Sequence, residues 1–167
     1  MAVITFNNNK VNTIGDLPGV GKKAPNFILT RIDLSDVTLE SFTRKKIIMN
    51  IFPSLDTPVC AMSIRKFNES ANELENTVVL TISKDLPFAH ARFCESEGLK
   101  NVIPLSEMRY ESFGKEYGVR ISDSPLAGLF SRAVVVIDNE GIVVHTEQVS
   151  DISHEPDYDA AIKAVKM

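Results

Sequence analysis

Short runs of apolar, largely β-branched residues constrain the fold of this chain most strongly. Two of them are KIIMNIF at 46–52 and TVVLTIS at 77–83. Apolar runs of this length without polar alternation are typical of strands buried on both faces of a sheet, as in parallel sheets covered by helices. The chain is therefore predicted to fold around a central sheet that contains both runs.

Helical segments follow these two strands. After Cys60, apolar residues recur three and four positions apart, which predicts a helix with one side facing the core. That stripe consists of Ile64, Phe67, Ala71 and Leu74. A second helix is predicted to begin at Pro87 and to end at Gly98, and the last helix begins near Pro156.

Polar turns between short apolar runs predict three β-hairpins. Their turns fall at Asn7–Asn9, Asp33–Asp36 and Asn139–Gly141. The hairpins, strands and helices together indicate an α/β fold with a mixed sheet. A chain of 167 residues is long enough for one substantial core. We therefore expect residues 1–167 to form a single domain.

The charge balance disfavours a nucleic-acid partner. The chain has 18 Lys and Arg residues against 22 Asp and Glu residues, a net charge of −4, and no basic block that could contact phosphates. No apolar run is long enough to cross a membrane, so no membrane partner is expected. The amino-terminal residues MAVITFNNNK lack the pattern of a signal peptide, and we expect a cytoplasmic location.

The segment PSLDTPVC, residues 53–60, places one of only two cysteines where a strand gives way to a helix. The unpaired N–H groups and the dipole at a helix start favour a thiolate at Cys60. Thr57 supplies a hydroxyl that can donate to the sulfur or to a substrate oxygen, and Pro53 ends the strand and can shield the site. An inert buried cysteine remains the alternative.

Pro53, Thr57 and Cys60 match the Pro-x-x-x-Thr-x-x-Cys motif of the peroxiredoxins. The upstream GKKAPNF resembles the Gly-x-x-Ala-Pro-x-Phe entry to the first core strand of that family. The amino-terminal hairpin, the second cysteine Cys94 and the run SRAVVVID resemble the bacterial thiol peroxidase subfamily, which uses two cysteines in one chain. The resemblance extends over essentially the whole chain, residues 2–167.

This resemblance implies a thioredoxin-like fold that needs no metal or other cofactor. The implied substrates are hydrogen peroxide and alkyl hydroperoxides, the implied reductant is thioredoxin, and a homodimer is implied. Cys60 would attack the peroxide, and Cys94 would resolve the resulting sulfenic acid as an intramolecular disulfide. In that fold Arg132 would lie against the loop that ends at Cys60, where a permanent cation holds a thiolate and polarises the O–O bond.

Other interpretations of these residues stay open. Arg132 could be a solvated residue at a strand end, and Cys94 could be a buried helix cysteine or could share a metal with His90, four residues earlier. A non-catalytic redox sensor or interaction domain on the same scaffold is the alternative function. A glutathione peroxidase is disfavoured because the chain has no Trp. We expect a further set to be core or pocket wall: Phe42, Met49, Met62 and Leu126.

Overall fold

The computed structural model describes all residues, 1–167. Its strands are β1 (Val3–Phe6), β2 (Asn9–Asn12), β3 (Ile28–Arg31), β4 (Asp36–Thr38), β5 (Lys46–Ile51), β6 (Thr77–Ser83), β7 (Ile103–Ser106), β8 (Ala133–Ile137) and β9 (Val143–Gln148). Its helices are α1 (Pro58–Ala71), α2 (Pro87–Glu97), α3 (Ser112–Glu116) and α4 (Tyr158–Lys166), with a 3₁₀ turn at Leu39–Phe42. None of the helices combines the length and the apolar character that crossing a membrane requires.

Seven strands form one mixed sheet in the order β4-β3-β7-β6-β5-β8-β9, and β1 and β2 form a separate hairpin. The central pairs β5–β6 and β6–β7 are parallel, whereas β5 and β8 are antiparallel. Ile51 pairs with Ala133, so the end of β5 lies beside the beginning of β8. The predicted α/β architecture with a mixed sheet and an amino-terminal hairpin is confirmed.

Alternating side chains of β5 serve two separate cores. Ile47, Met49 and Ile51 belong to a cluster on one face of the sheet. Ile48 and the following Phe52 belong to a cluster on the other face, together with apolar residues of α1 and α4. This two-sided burial explains why the β5 run is continuously apolar rather than alternating.

The structure agrees with the predicted end of one helix and corrects the predicted end of another. α2 ends at Glu97, and its C-cap is the predicted Gly98, whose φ of 66° is left-handed and therefore suits glycine. α1 ends at Ala71, so the stripe of apolar spacing overran the helix. Leu74 lies just beyond it, in a turn where its N–H bonds the Ala71 carbonyl at 3.2 Å. That turn keeps a near-helical spacing, which is why the pattern continued.

The amino-terminal hairpin is held against the segment that follows β9. Its turn is tighter than predicted: Asn7 and Asn8 both have positive φ, and Asn9 already pairs with Phe6. The Thr5 Oγ1 hydroxyl donates to Asp151 Oδ2 at 2.7 Å. The hairpin thereby supports the segment that contacts Arg132.

Candidate active site

Cys60 occupies the first turn of α1 and is completely buried. Thr57 is the N-cap residue in an extended conformation, and Pro58 is the first helical residue, where the missing N–H costs nothing. The first helical hydrogen bond runs from Ala61 N to the Thr57 carbonyl at 3.1 Å. The N–H of Cys60 therefore precedes the helical ladder and is available to an anion.

The loop before Cys60 is ordered by its own hydrogen bonds. Thr57 Oγ1 donates to the Ser54 carbonyl at 3.1 Å, so its hydroxyl proton is engaged within the loop rather than at the sulfur. Ser54 Oγ accepts from Asp56 N at 3.2 Å. Donation from Thr57 to a substrate oxygen requires that the hydroxyl proton rotate about the Cβ–Oγ1 bond, away from the Ser54 carbonyl.

Arg132 lies immediately before β8, and it is 1% exposed and the largest of the fully buried side chains. Its Nε donates to the Ile152 carbonyl at 2.8 Å, whereas its Nη1 has no hydrogen-bond partner. The solvated arginine that the sequence left open as an alternative is therefore wrong. A buried guanidinium with a free N–H group favours a nearby anion.

Pro53, Thr57 and Arg132 line one cavity of about 290 Å³. The predicted site residues of the loop and the strand are thus brought together at the start of α1. Apolar side chains from the amino-terminal hairpin and from later loops complete the wall: Phe6, Leu126, Leu129 and Ile152. A cavity of this composition suits a substrate with an apolar body and one polar end.

The other predicted core or wall residues have different locations. Leu126 is a wall residue of the cavity, as predicted, and Met49 and Phe42 are buried in the core. Met62 is 41% exposed on α1, so its assignment to the core or the pocket wall is wrong. Its position between the buried Ala61 and Ser63 places it on the solvent side of that helix.

Cys94 lies on α2 and is half-buried, and both cysteines are free thiols. It packs against the hydrophobic cluster that contains Cys60. Burial raises the pKa of the Cys94 thiol to about 11. In this arrangement Cys94 is therefore protonated near neutral pH and is a poor nucleophile.

A second charged residue near the site was missed from the sequence. Asp85 follows β6, and its carboxylate accepts from Ser54 Oγ at 3.1 Å and from Leu55 N at 2.9 Å. Parallel strands end at the same edge of a sheet, so a polar residue just after β6 falls beside the loop after β5. The position of Asp85 just after a buried strand was the sequence signal that could have identified it.

Tyr158 was also missed, and it borders both Cys60 and Arg132. Its ring packs edge-on against Phe67, with centroids 5.1 Å apart. Burial raises the pKa of Tyr158, as do Glu155 and Cys60, while the Arg132 charge lowers it. Tyr158 therefore stays protonated, and its hydroxyl donates to Glu155 Oε1 at 2.9 Å.

His90 faces a serine rather than a metal. It is 1% exposed, and its Nε2 lies 3.1 Å from Ser83 Oγ. Burial lowers the pKa of His90 to about 4, against an opposing effect of Asp85. No group of three or more His, Cys, Asp or Glu side chains assembles around it.

The fold and the buried cysteine at a helix start define a thiol-based redox protein. A family model described as Redoxin matches residues 19–162. The thiol peroxidase of Mycobacterium tuberculosis is 52% identical over 165 residues, which cover 99% of each chain. The chain therefore belongs to the Redoxin family, and within it to the thiol peroxidases.

Solved structures agree with this assignment. A peroxiredoxin-like protein from Aquifex aeolicus superposes with a TM-score of 0.93 at 37% identity, covering 99% of this chain and 96% of that one. A thiol peroxidase from Chromobacterium violaceum superposes with a TM-score of 0.91 at 27% identity, with the same coverage. The thioredoxin-like fold and a thiol-dependent peroxidase activity are supported together.

Proposed function

We propose that Cys60 is the attacking cysteine of a peroxidase that reduces hydrogen peroxide and alkyl hydroperoxides. The observation that carries this proposal is the buried thiol in the first turn of α1, directly after residues that share a cavity with Arg132. Helix-start N–H groups and a buried guanidinium both stabilise a thiolate, which is the reactive form of cysteine. The apolar cavity wall favours an alkyl hydroperoxide over hydrogen peroxide.

In the first step the Cys60 thiolate attacks the terminal oxygen of ROOH. A sulfur–oxygen bond forms, the O–O bond breaks, and the alkoxide leaves with a proton from solvent as ROH. Cys60 becomes a sulfenic acid, two electrons more oxidised. Arg132 Nη1, which has no partner in the protein, is available to bind the oxygens as negative charge develops, and a rotated Thr57 hydroxyl can assist. Pro53 shields the thiolate from water.

In the second step the Cys94 thiol condenses with the sulfenic acid to give an intramolecular disulfide and water. Cys60 and Cys94 lie on different helices, and a disulfide tolerates Cα separations of only ~7 Å. Local unwinding of α1 and α2 brings them together. Exposure of Cys94 also removes the burial that raises the pKa of its thiol to about 11, so unwinding makes it a better nucleophile.

In the third step a dithiol reductant attacks the disulfide and restores both thiols. We infer thioredoxin as that reductant, because the chain resembles the two-cysteine thiol peroxidases. No other cofactor is needed, since the two electrons leave the dithiol and reach the peroxide through sulfur alone.

Replacement of the attacking sulfur tests this function directly. Cys60→Ser should abolish peroxide consumption, because a serine hydroxyl is not ionised near neutral pH and no general base is at hand. The measurement is peroxide-dependent NADPH oxidation through thioredoxin and its reductase, with Ser96→Ala as a control that keeps both cysteines. Sustained turnover also separates a peroxidase from a sensor, which would be oxidised only once. Enzyme-dependent peroxide loss by Cys60→Ser would remove Cys60 from the mechanism.

We further propose a homodimer and a cytoplasmic location. The dimer rests on the resemblance to the thiol peroxidases, and the location rests on the thiol chemistry, which needs a reducing compartment. Sedimentation of the reduced protein at micromolar concentration tests the dimer. A single species near the chain mass of 18.5 kDa would contradict it.

A further inference from the structure

Asp85 binds the loop that precedes Cys60. Its Oδ1 accepts from Ser54 Oγ at 3.1 Å, and its Oδ2 accepts from Leu55 N at 2.9 Å. These partners are separated from Asp85 by about thirty residues of chain, so the bonds join two loops rather than stabilise one turn. Hydrogen bonds to an ionised carboxylate are stronger than those between neutral groups. One side chain therefore fixes the first half of the active-site loop.

The same carboxylate also accepts from Ser83, which in turn contacts α2, the helix that contains Cys94. Ser83 Oγ donates to Asp85 Oδ2 at 2.6 Å, and Ser106 Oγ donates to the Asp85 carbonyl at 2.5 Å. Because the Ser83 proton is used on Asp85, Ser83 Oγ accepts from His90 Nε2, 3.1 Å away on α2. Asp85, Ser54, Leu55 and Ser83 are called the Asp85 clamp below.

We propose that Asp85 is a positioning residue that holds the Cys60 loop and the Cys94 helix closed together until peroxide has reacted, and that release of the clamp sets the rate of disulfide formation. This inference rests on the proposed roles of Cys60 and Cys94. Movement of the Cys60 loop removes Ser54 and Leu55 from the Asp85 carboxylate. Movement of α2 removes His90 from Ser83 Oγ, which itself donates to Asp85. The two segments therefore open as a coupled pair rather than independently.

The clamp predicts opposite effects on the two chemical steps. A closed site keeps the Cys60 loop and the Arg132 cavity in the arrangement for attack. An open site is needed for Cys94 to reach the sulfenic acid. Asp85→Ala leaves Leu55 N and Ser83 Oγ without their acceptor, which destabilises the closed form. Attack on peroxide should become about tenfold slower, and disulfide formation about tenfold faster, as expected for the loss of charge-assisted hydrogen bonds.

The experiment follows both steps in one mixture. Reduced protein is mixed with one equivalent of an alkyl hydroperoxide, quenched with acid at millisecond intervals and examined by intact-mass spectrometry. This readout separates thiol, sulfenic acid and disulfide, and it needs no tryptophan signal, which the chain lacks. Asp85→Asn should restore both rates most of the way, since its amide oxygen can accept from Leu55 N while its amide nitrogen donates to Ser54 Oγ.

Two further variants separate positioning from simple loss of stability. Asp138→Ala is the matched control, because Asp138 Oδ1 also accepts two backbone N–H groups, from Glu140 and Ile142, in a turn outside the site. It should leave the ratio of the two rates unchanged. Ser54→Ala removes one bond of the clamp and should shift the ratio in the same direction as Asp85→Ala, by less, even where Asp85→Ala fails to fold.

The possible failures are distinguishable. A wild-type protein that forms no disulfide between Cys60 and Cys94 contradicts the proposed two-cysteine cycle, and with it the clamp. A wild-type protein that forms this disulfide, with clamp variants whose rate ratio equals that of Asp138→Ala, contradicts the clamp alone. Opposite changes in the two rates, reversed by Asp85→Asn, support it.

Discussion

The buried position of Arg132 explains how the proposed mechanism stabilises a thiolate at Cys60. A guanidinium is always charged, and burying a charge without a partner costs several kcal/mol. The Ile152 carbonyl satisfies only Nε, and Nη1 is left without a partner in the protein. In the proposed mechanism the Cys60 thiolate and then the peroxide oxygens supply the missing anion. In this mechanism the Nη1 group of Arg132 gains its hydrogen-bond partner only during the reaction.

Removal of this cation should slow attack and little else. We expect Arg132→Ala to lower the second-order rate of Cys60 with peroxide by about 100-fold, typical for loss of one group aimed at developing charge. Arg132→Lys keeps the charge without the planar donor set, so its rate should fall between the two. The rate is measured by competition with a second peroxidase. Arg109→Ala is the control, because that arginine is exposed and pairs with Asp36 at 2.8 Å.

Full reactivity of Arg132→Ala, with a fold that circular dichroism shows to be intact, would contradict the assigned role. Partial unfolding of this variant would leave Arg132→Lys as the decisive comparison. A charge effect then predicts that Arg132→Lys keeps more than a tenth of the wild-type rate.

Cys94 is expected to matter after the first oxidation rather than before it. Cys94→Ser should react with the first equivalent of peroxide as fast as wild type, because attack needs only Cys60 and its surroundings. Turnover with thioredoxin should then collapse, and sulfinic acid should accumulate at Cys60, since its sulfenic acid has no partner. Intact-mass spectrometry measures both products. Ser96→Ala, on the same helix, is the control and should turn over normally.

Unimpaired turnover by Cys94→Ser, or a disulfide that joins two chains in the wild type, would contradict the resolving role. The two results differ in meaning. The first would indicate a one-cysteine cycle, and the second would move the resolving thiol to a partner subunit. Peptide mapping without reductant distinguishes them.

The helix that contains Cys94 also contains a titratable core residue. Burial lowers the pKa of His90 from 6.5 to about 4, so the folded protein keeps it neutral while the unfolded chain protonates it below pH 6.5. The unfolded state then binds more protons, and stability falls as the pH drops from about 6.5 towards 4. The loss is at most about 1.4 kcal/mol per pH unit.

Urea unfolding at pH 7 and pH 5 measures this effect. His90→Gln should lose less free energy of unfolding between the two pH values than wild type, because an amide can donate to Ser83 without titrating. The exposed His154 provides the control, and His154→Gln should match wild type. Equal pH dependence in all three proteins would show that His90 does not titrate on unfolding.

The sequence predicted a helix or strand well where the residues that determine it act on their own backbone. The bounds of α2 followed from Pro87 and Gly98, because both act on their own backbone. Cys60 could be placed at a helix start for the same reason. Arg132 was assigned only through resemblance, since its contact with Ile152 arises from the tertiary fold. Asp85 was missed because its partners lie on another loop, and no local pattern records such a bond.

The order of the sheet shows the same limit for the whole molecule. The hairpin of β8 and β9 was readable from its turn, because those strands are neighbours in the chain. By contrast, β3 pairs with β7, which follows it by more than seventy residues. Apolar patterning specifies that a strand is buried but not which strand lies beside it. The family resemblance, rather than periodicity, supplied the thioredoxin-like arrangement.

Two hydrophobic clusters on opposite faces of one sheet should unfold together. They share β5, in which Met49 belongs to one cluster and Ile48 to the other. Loss of β5 from the sheet would expose apolar side chains of both clusters. We therefore expect a single domain that unfolds in one cooperative transition.

Tyrosine fluorescence can observe the two faces separately. The chain has no Trp and 3 Tyr, of which Tyr117 lies in one cluster and Tyr158 packs against the other. The third tyrosine, Tyr110, is exposed and is replaced by Phe in both proteins. In that background Tyr117→Phe leaves a reporter only on the second face, and Tyr158→Phe leaves one only on the first. In each variant the urea midpoint from fluorescence should coincide with that from circular dichroism. The two midpoints differ in neither variant if the faces unfold together. A difference in either variant would mean that the faces unfold as separate units and that the chain does not behave as one domain.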